Sequence, residues 1–314
     1  MTQVHATGGE VQTTEQVRRI EGRSPWVLAW ERLRRDRLAM FSLGVIILIV
    51  LVALFAPVFA AITGHGPNEQ YRDIGLTPQG LPVAPNSTFW FGTDDLGRDV
   101  LVRVAYGARV SLGVGVLATL LTVVIGVVVG LTAGFIGGVT DTVLARFIDV
   151  VLSFPFLLAA IALVSIIGPS LTVTIFVIGF FSWASMARIV RGQVLSVKER
   201  EYVEAARSLG AGNGRIMLID VFPNVLAPVI VYTTLLIPVV IVIQATLSFL
   251  GLGLQPPTPD WGGMIDESRN YYQTAWWFMF FPGIALVITT LAFNLFGDGV
   301  RDAFDPRVER LMRG

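Results

Sequence analysis

VKEREYVEAARSLGAGNGRIMLIDVFPN, residues 197–224, is a polar, alanine-rich stretch set between long apolar runs. Residues 197–209 are good helix formers without Pro or Gly. Ser196 and Glu199 stand three apart at its start, the spacing of a capping box. Gly210 fits a left-handed C-cap. By 3–4 spacing, Tyr202, Ala205, Ala206 and Leu209 share one face, flanked by Glu204 and Arg207. Two alanines on that face leave room for another backbone or a partner's side chains. GAGNG, 210–214, is a turn, residues 215–222 make a second short helix, and Pro223 marks the passage into the next apolar run. Two readings fit the pattern: an amphipathic helix lying on the inner leaflet, or a docking element for a cytosolic partner.

The surrounding composition sets the class. Of 314 residues 54% are hydrophobic and 15% charged, against about 25% charged in a soluble domain. Mean hydropathy is +0.68. This describes an all-α protein that crosses a membrane many times. The net charge of zero implies no attraction to nucleic acid. There is no cysteine, which removes disulfides, thiol catalysis and thiolate-bound metals. His5 and His65 lie outside any long apolar run, so no histidine metal site is expected.

A membrane-crossing helix needs roughly 20 apolar residues. Six stretches meet that length: 38–62, 110–135, 143–167, 170–187, 225–250 and 276–296. The third and fourth are divided by IGPS, 167–170, a turn signal. The first 24 residues are polar, are not a secretory signal, and are expected to be a disordered tail. Six spans put both termini on one side. Arginines crowd the N-terminal tail, the segment 187–223 and the C-terminal tail, whereas the opposite side holds only Arg72, Arg98, Arg103, Arg109 and Arg269. Cytoplasmic loops carry the excess of Lys and Arg. The expected division is a cytoplasmic tail 1–37, a first span 38–62, an external loop 63–109, a core 110–297 with five spans and the cytoplasmic loop 196–223, and a cytoplasmic tail 298–314.

In the external loop Leu96, Val100, Leu101 and Val104 make an apolar face, and Asp99 and Arg103 form an i,i+4 pair on the other. That reads as an amphipathic helix on the outer membrane surface, packed on the bilayer or a partner, or touching an external protein.

No Asp, Glu, Lys or Arg stands near the middle of a span. Such charges cost at least about 2.5–3.5 kcal/mol and mark ion pathways or embedded catalysis. Their absence weighs against an ion-coupled carrier acting alone, and no catalytic constellation supports a membrane enzyme. Gln244 and Asn294 are the polar side chains at depth; each makes an interhelical hydrogen bond or lines a solute passage. A phosphate-binding loop needs Gly-Lys, but the single lysine, Lys198, follows Val197. If ATP drives the process, another subunit hydrolyses it.

The opening stretch resembles the Glu-Ala-Ala loop of ABC-importer permeases. Glu204, Ala205, Ala206, Gly210 and Pro223 fall on that pattern without a gap, while Asp220 and Phe222 replace its Ile and Leu. Four further blocks, at 24–57, 91–115, 248–265 and 293–307, are similar to the C-type permease of dipeptide/oligopeptide importers. The resemblance covers nearly the whole chain. It implies a type I ABC-importer architecture in a bacterial or archaeal plasma (inner) membrane. It implies a second homologous permease, two cytosolic ATPase subunits that use ATP and Mg, an external solute-binding protein, membrane lipid around the helices and a peptide as solute. Nickel or another small solute is the alternative cargo, because that subfamily shares these blocks. By the same resemblance Tyr202, Glu204, Ala205, Ala206, Arg207, Leu209, Gly210 and Pro223 belong to the coupling helices that seat in the ATPase.

Overall fold

Short polar residues and prolines set where the helices of this chain begin and bend. A computed structural model describes residues 24–305; the tail expected over 1–23, and residues 306–314, lie outside the described residues. Helices α1 (Pro25–Arg35), α2 (Arg37–Leu54) and α3 (Ala56–Thr63) come first. Asp36 separates α1 from α2 and caps α2, its Oδ1 accepting from the N–H groups of Leu38 and Ala39 at 2.9 and 3.1 Å. The segment 1–37 expected as a tail thus contains a helix, α1. Ala29 and Leu33 seat it on Ala39, Val300 and Ala303. The first span is also broken: Pro57, in the first turn of α3, cannot donate back to the preceding turn.

A one-turn α4 (Arg72–Gly75) lies in the segment before α5, and then α5 (Val100–Ile136) runs for 37 residues, about 55 Å at 1.5 Å per residue. That exceeds the roughly 30 Å hydrocarbon core. The expected surface helix is the first turns of α5. Asp99 and Arg103 make no i,i+4 pair. Asp99 caps α5 and meets His65 Nδ1 at 2.7 Å. Arg103 reaches Asp94 at 3.2 Å and Glu267 at 3.1 Å. Both charges are buried, because the segment before α5 folds over the face that periodicity alone exposes to water.

The third span is α6 (Gly138–Ser153) and α7 (Phe156–Ile167), bent by 82° at Phe154–Pro155 rather than straight over 143–167. Pro155 removes an amide donor and holds Phe154 extended at ψ 132°. Helix α8 (Leu171–Val197) starts on the Ser170 hydroxyl, which accepts from Val173 N–H at 3.2 Å. It runs ten residues past the expected end at 187; hydropathy stops at the first charge, but the helix does not.

α9 (Glu201–Ser208) and α10 (Asn213–Arg215) follow, then a π-helical turn, Ile216–Val221, and α11 (Phe222–Phe249). The expected separate helix 215–222 is thus the start of one continuous span, and Pro223 is no boundary. The wider π turn directly precedes Pro223 and spares the ring its clash. α12 (Trp261–Ser268) and α13 (Trp276–Phe304) complete the fold. The last span runs eight residues beyond 296, into the segment expected as tail.

Among the described residues five helices are long and apolar enough to cross a membrane, or six where the α6–α7 pair, bent by 82°, is counted as one span rather than a re-entrant loop. Apart from two isolated bridges they contain no strand.

The most extensive helix pairing is between α5 and α8. Gly126, Gly130 and Gly134 form a stripe at four-residue spacing. A Cβ at Gly130 would lie 2.5 Å from the Ala187 carbonyl oxygen and 2.8 Å from Val190 Cβ. Small residues allow such contact where apolar lipid supplies no hydrophobic drive for association. Met186, Val190 and Val194 of α8 pack there against Leu131 and Phe135 of α5.

Candidate coupling site

The polar stretch hangs from two rigid helices. Val194 and Val197 bury the end of α8. Arg191 of α8 holds Asp141 of α6 through two hydrogen bonds, at 2.5 and 2.7 Å. Lys198 Nζ donates to the Gly134 carbonyl at 2.9 Å, satisfying a free oxygen near the end of α5. These anchors went unread in the sequence, although charges at the ends of neighbouring apolar runs were a signal for them.

The chain turns at 198–200 and starts α9 four residues later than expected. The Ser196–Glu199 capping box does not form: Ser196 lies inside α8, and Arg200 is the N-cap without a side-chain bond. Lys198, bound back to α5, continues α8 past the position where the box would open. The expected left-handed cap is present. Gly210 has φ +85°. Its N–H reaches the Arg207 carbonyl at 3.0 Å, and Ala211 N–H reaches Ala206 at 3.1 Å. This paired closure is a Schellman motif. It fixes the angle at which the chain leaves α9.

The expected four-residue face is split. Ala206 is half-buried against the cluster of Val194, Val197, Val203, Ile216, Val221 and Val225. Tyr202, Ala205 and Leu209 are exposed, Leu209 at 89%. Glu204, Arg207, Gly210 and Pro223 are exposed as well. Val203, fully buried, is the inward anchor that the face assignment missed; its spacing of three from Ala206 marks it. The acidic first turn (Glu201, Glu204) and basic last turn (Arg207) oppose the helix dipole. α9 is a short polar helix. Val203 and Ala206 turn its inner side onto the cluster with Val194, Val197, Ile216 and Val221, and its outer side is exposed in the chain.

Gln244 is buried without accessible surface. Its Nε2 donates to Ser248 Oγ at 2.9 Å and Asp260 Oδ1 at 3.0 Å. One bond lies within α11 and the other reaches the residue that opens α12. Asn294 is exposed on α13. Asp260 also caps α12, accepting from Gly263 N–H at 3.1 Å. Burial pushes its carboxyl above the usual range, against the hydrogen bonds from Gly263 and Gln244. Replacing Asp260 with Ala removes a cap, worth about 1 kcal/mol, and strands a buried amide, at about 1–3 kcal/mol. Asp260→Ala is expected to lower the melting temperature in detergent clearly more than Asp260→Asn, which keeps an acceptor oxygen. Equal melting temperatures would show that the cap carries nothing.

On the α12 side, Asp94, Asp95 and Glu267 bring carboxylate oxygens within 4.8 Å of one another. Arg98 and Arg103 lie against them, Arg98 at 2.9 Å from Glu267, so the group is an ion-pair network. Burial raises the Glu267 carboxyl against the pull of both guanidiniums, and burial raises Asp95 beside Asp94. The network ties the segment before α5 to α12.

Residues 126–310 match the family described as binding-protein-dependent transport system inner membrane component, and residues 24–78 match the N-terminal TM domain of oligopeptide transport permease C. The chain is 41% identical over 286 residues to the dipeptide transport system permease protein DppC of Alkalihalophilus pseudofirmus, covering 91% of each chain. It is 43% identical over 288 residues to the oligopeptide transport system permease protein OppC of Escherichia coli, covering 92% of this chain and 93% of that one. It is 41% identical over 287 residues to the glutathione transport system permease protein GsiD of Shigella dysenteriae, covering 91% and 92%. Helices long enough to cross a membrane, a short polar helix between two of them and likeness along nine-tenths of the length agree: the chain belongs to the inner membrane components of binding-protein-dependent transport systems, as a multi-pass permease of the C-type dipeptide/oligopeptide branch.

Proposed function

We propose that this permease passes peptides through a pathway shared with a second, homologous permease, and that α9 couples it to two cytosolic ATPase subunits using ATP and Mg. The carrying observation is the outer face of α9. Tyr202, Ala205 and Leu209 are exposed on a helix that closes on its own Schellman motif, while its Val203 and Ala206 pack into the cluster that holds Val194 and Val197 of α8, the π turn and Val225 of α11. A helix so held transmits a push from outside the membrane to two spans. The names of the dipeptide, oligopeptide and glutathione relatives support a peptide cargo over nickel. Single Lys198 after Val197 supports the absence of a nucleotide site in this chain. The arginine distribution supports cytoplasmic termini and a cytoplasmic α9.

Reconstitution in vesicles tests this reading. With partner permease, ATPases and binding protein, ATP-dependent dipeptide uptake is expected; the chain alone should hydrolyse no ATP. The natural absence of cysteine allows single reporters. Cysteines replacing Asn86 and Thr258 should be labelled from outside, and one replacing Ser208 only from inside. ATP hydrolysis by the isolated chain, or outside labelling at 208, would overturn the assignment.

A further inference from the structure

Where α6 breaks into α7, a cavity of about 270 Å³ opens between α8 and α11. Tyr232, Leu236, Val239 and Ile243 line it from α11 at spacings of four, three and four, so they form one helical stripe. From α8 come Phe181, Ser182 and Ser185. Ser182 and Ser185 lie 11 and 14 residues into a 27-residue helix, close to mid-depth at 1.5 Å per residue. The lining carries three hydroxyls and no charge. The hydroxyls of Tyr232 and Ser185, from facing helices, both border the cavity.

Two features mark this place as more than a packing fault. Irregular backbone at membrane depth is tolerated where it is covered by protein or lines a wet cavity, and the Phe154–Pro155 break borders this one. The volume also falls just short of a complete small-molecule site, about 300–1,000 Å³, as expected when one of two permeases supplies half the wall.

Resting on the peptide-permease reading above, we propose that Ser182, Ser185 and Tyr232 form a solute-contact patch that binds the backbone amides of a peptide in transit. A hydroxyl both donates and accepts, so it matches N–H and C=O groups alike. Backbone amides are common to all peptides, whereas side-chain charge is not. A fixed charge here would hold some peptides and repel others; hydroxyls among aromatic and aliphatic walls treat them alike.

The test uses the reconstituted complex and two dipeptides, Ala-Lys and Ala-Glu. Ser185→Asp should raise the ratio of Ala-Lys to Ala-Glu uptake by about tenfold, and Ser185→Lys should lower it by a similar factor. Tyr232→Phe should raise KM for both peptides several-fold. A purely structural hydroxyl would give no charge-dependent ratio. If the charged variants fail to assemble, Tyr232→Phe and Ser182→Ala decide the matter through KM. An unchanged ratio in assembled charge variants, or unchanged KM in both hydroxyl variants, overturns the patch. Absence of any peptide uptake by the unaltered complex would overturn the peptide reading instead.

Discussion

Gly130→Val is expected to leave the chain unable to hold its fold, with most of the protein lost from the detergent-soluble fraction. A side chain at 130 would meet the Ala187 carbonyl oxygen at 2.5 Å, and that oxygen belongs to helix backbone. Backbone cannot turn aside as a flexible side chain can. Overpacking of a core typically costs about 1–3 kcal/mol, and here relief requires moving α8 as a body. Gly130→Ala should destabilise by an amount in that range although alanine is the better helix former by about 1 kcal/mol. Gly113 is the control. It lies on the same helix with open space where its Cβ would be, so Gly113→Ala should be neutral or slightly stabilising. Thermal unfolding in detergent and folded yield give the comparison. Similar stability for the 113 and 130 variants would mean that α5 and α8 do not touch as described.

Leu209→Asp is expected to strip the ATPase subunits from the complex and reduce uptake more than tenfold, while the melting temperature of the permease stays unchanged. Leu209 is exposed and supports nothing within the chain, whereas a buried apolar contact with a partner is worth about 1.5–3 kcal/mol for a leucine. A carboxylate there would also be buried without a partner. Val203→Asp should behave differently. Val203 is buried within the chain's own core, so this change should lower the melting temperature as well as uptake. Ala206→Leu belongs with Val203, because Ala206 faces inward. Gly210→Val should act by straining a backbone held at φ +85°. Co-purification of the ATPase, uptake and thermal unfolding separate the two classes. Normal ATPase retention and uptake with Leu209→Asp would leave α9 as a helix resting on the membrane surface.

The residues of α9 show where a sequence stops speaking. Its helix-forming run, its glycine closure and its polar character were legible in the residue types, because propensity and capping are local. Which side of it faces the protein was not. A short helix with Tyr202, Val203, Ala205, Ala206 and Leu209 has apolar residues on more than one side. Only the position of the Val194–Val225 cluster decides that Val203 and Ala206 turn inward.

The same division holds for the spans. The apolar runs that form the long helices and the turn at Gly168–Pro169 were written in hydropathy and in turn residues, since lipid forces every apolar run to satisfy its own backbone. The ends of α8 and α13 were not, because a helix stops where caps and contacts stop it. Asp99 and Arg103 looked like a solvated pair at spacing four, and they became buried partners of His65, Asp94 and Glu267. The sequence offered Gln244 a hydrogen bond or a place on a passage wall without naming a partner, and the fold brings Asp260, sixteen residues away, beside it. Local chemistry determines which segments are helices and that they cross a membrane. Tertiary packing decides which side chains meet, because a contact depends on two positions at once, and a helical period specifies only one of them.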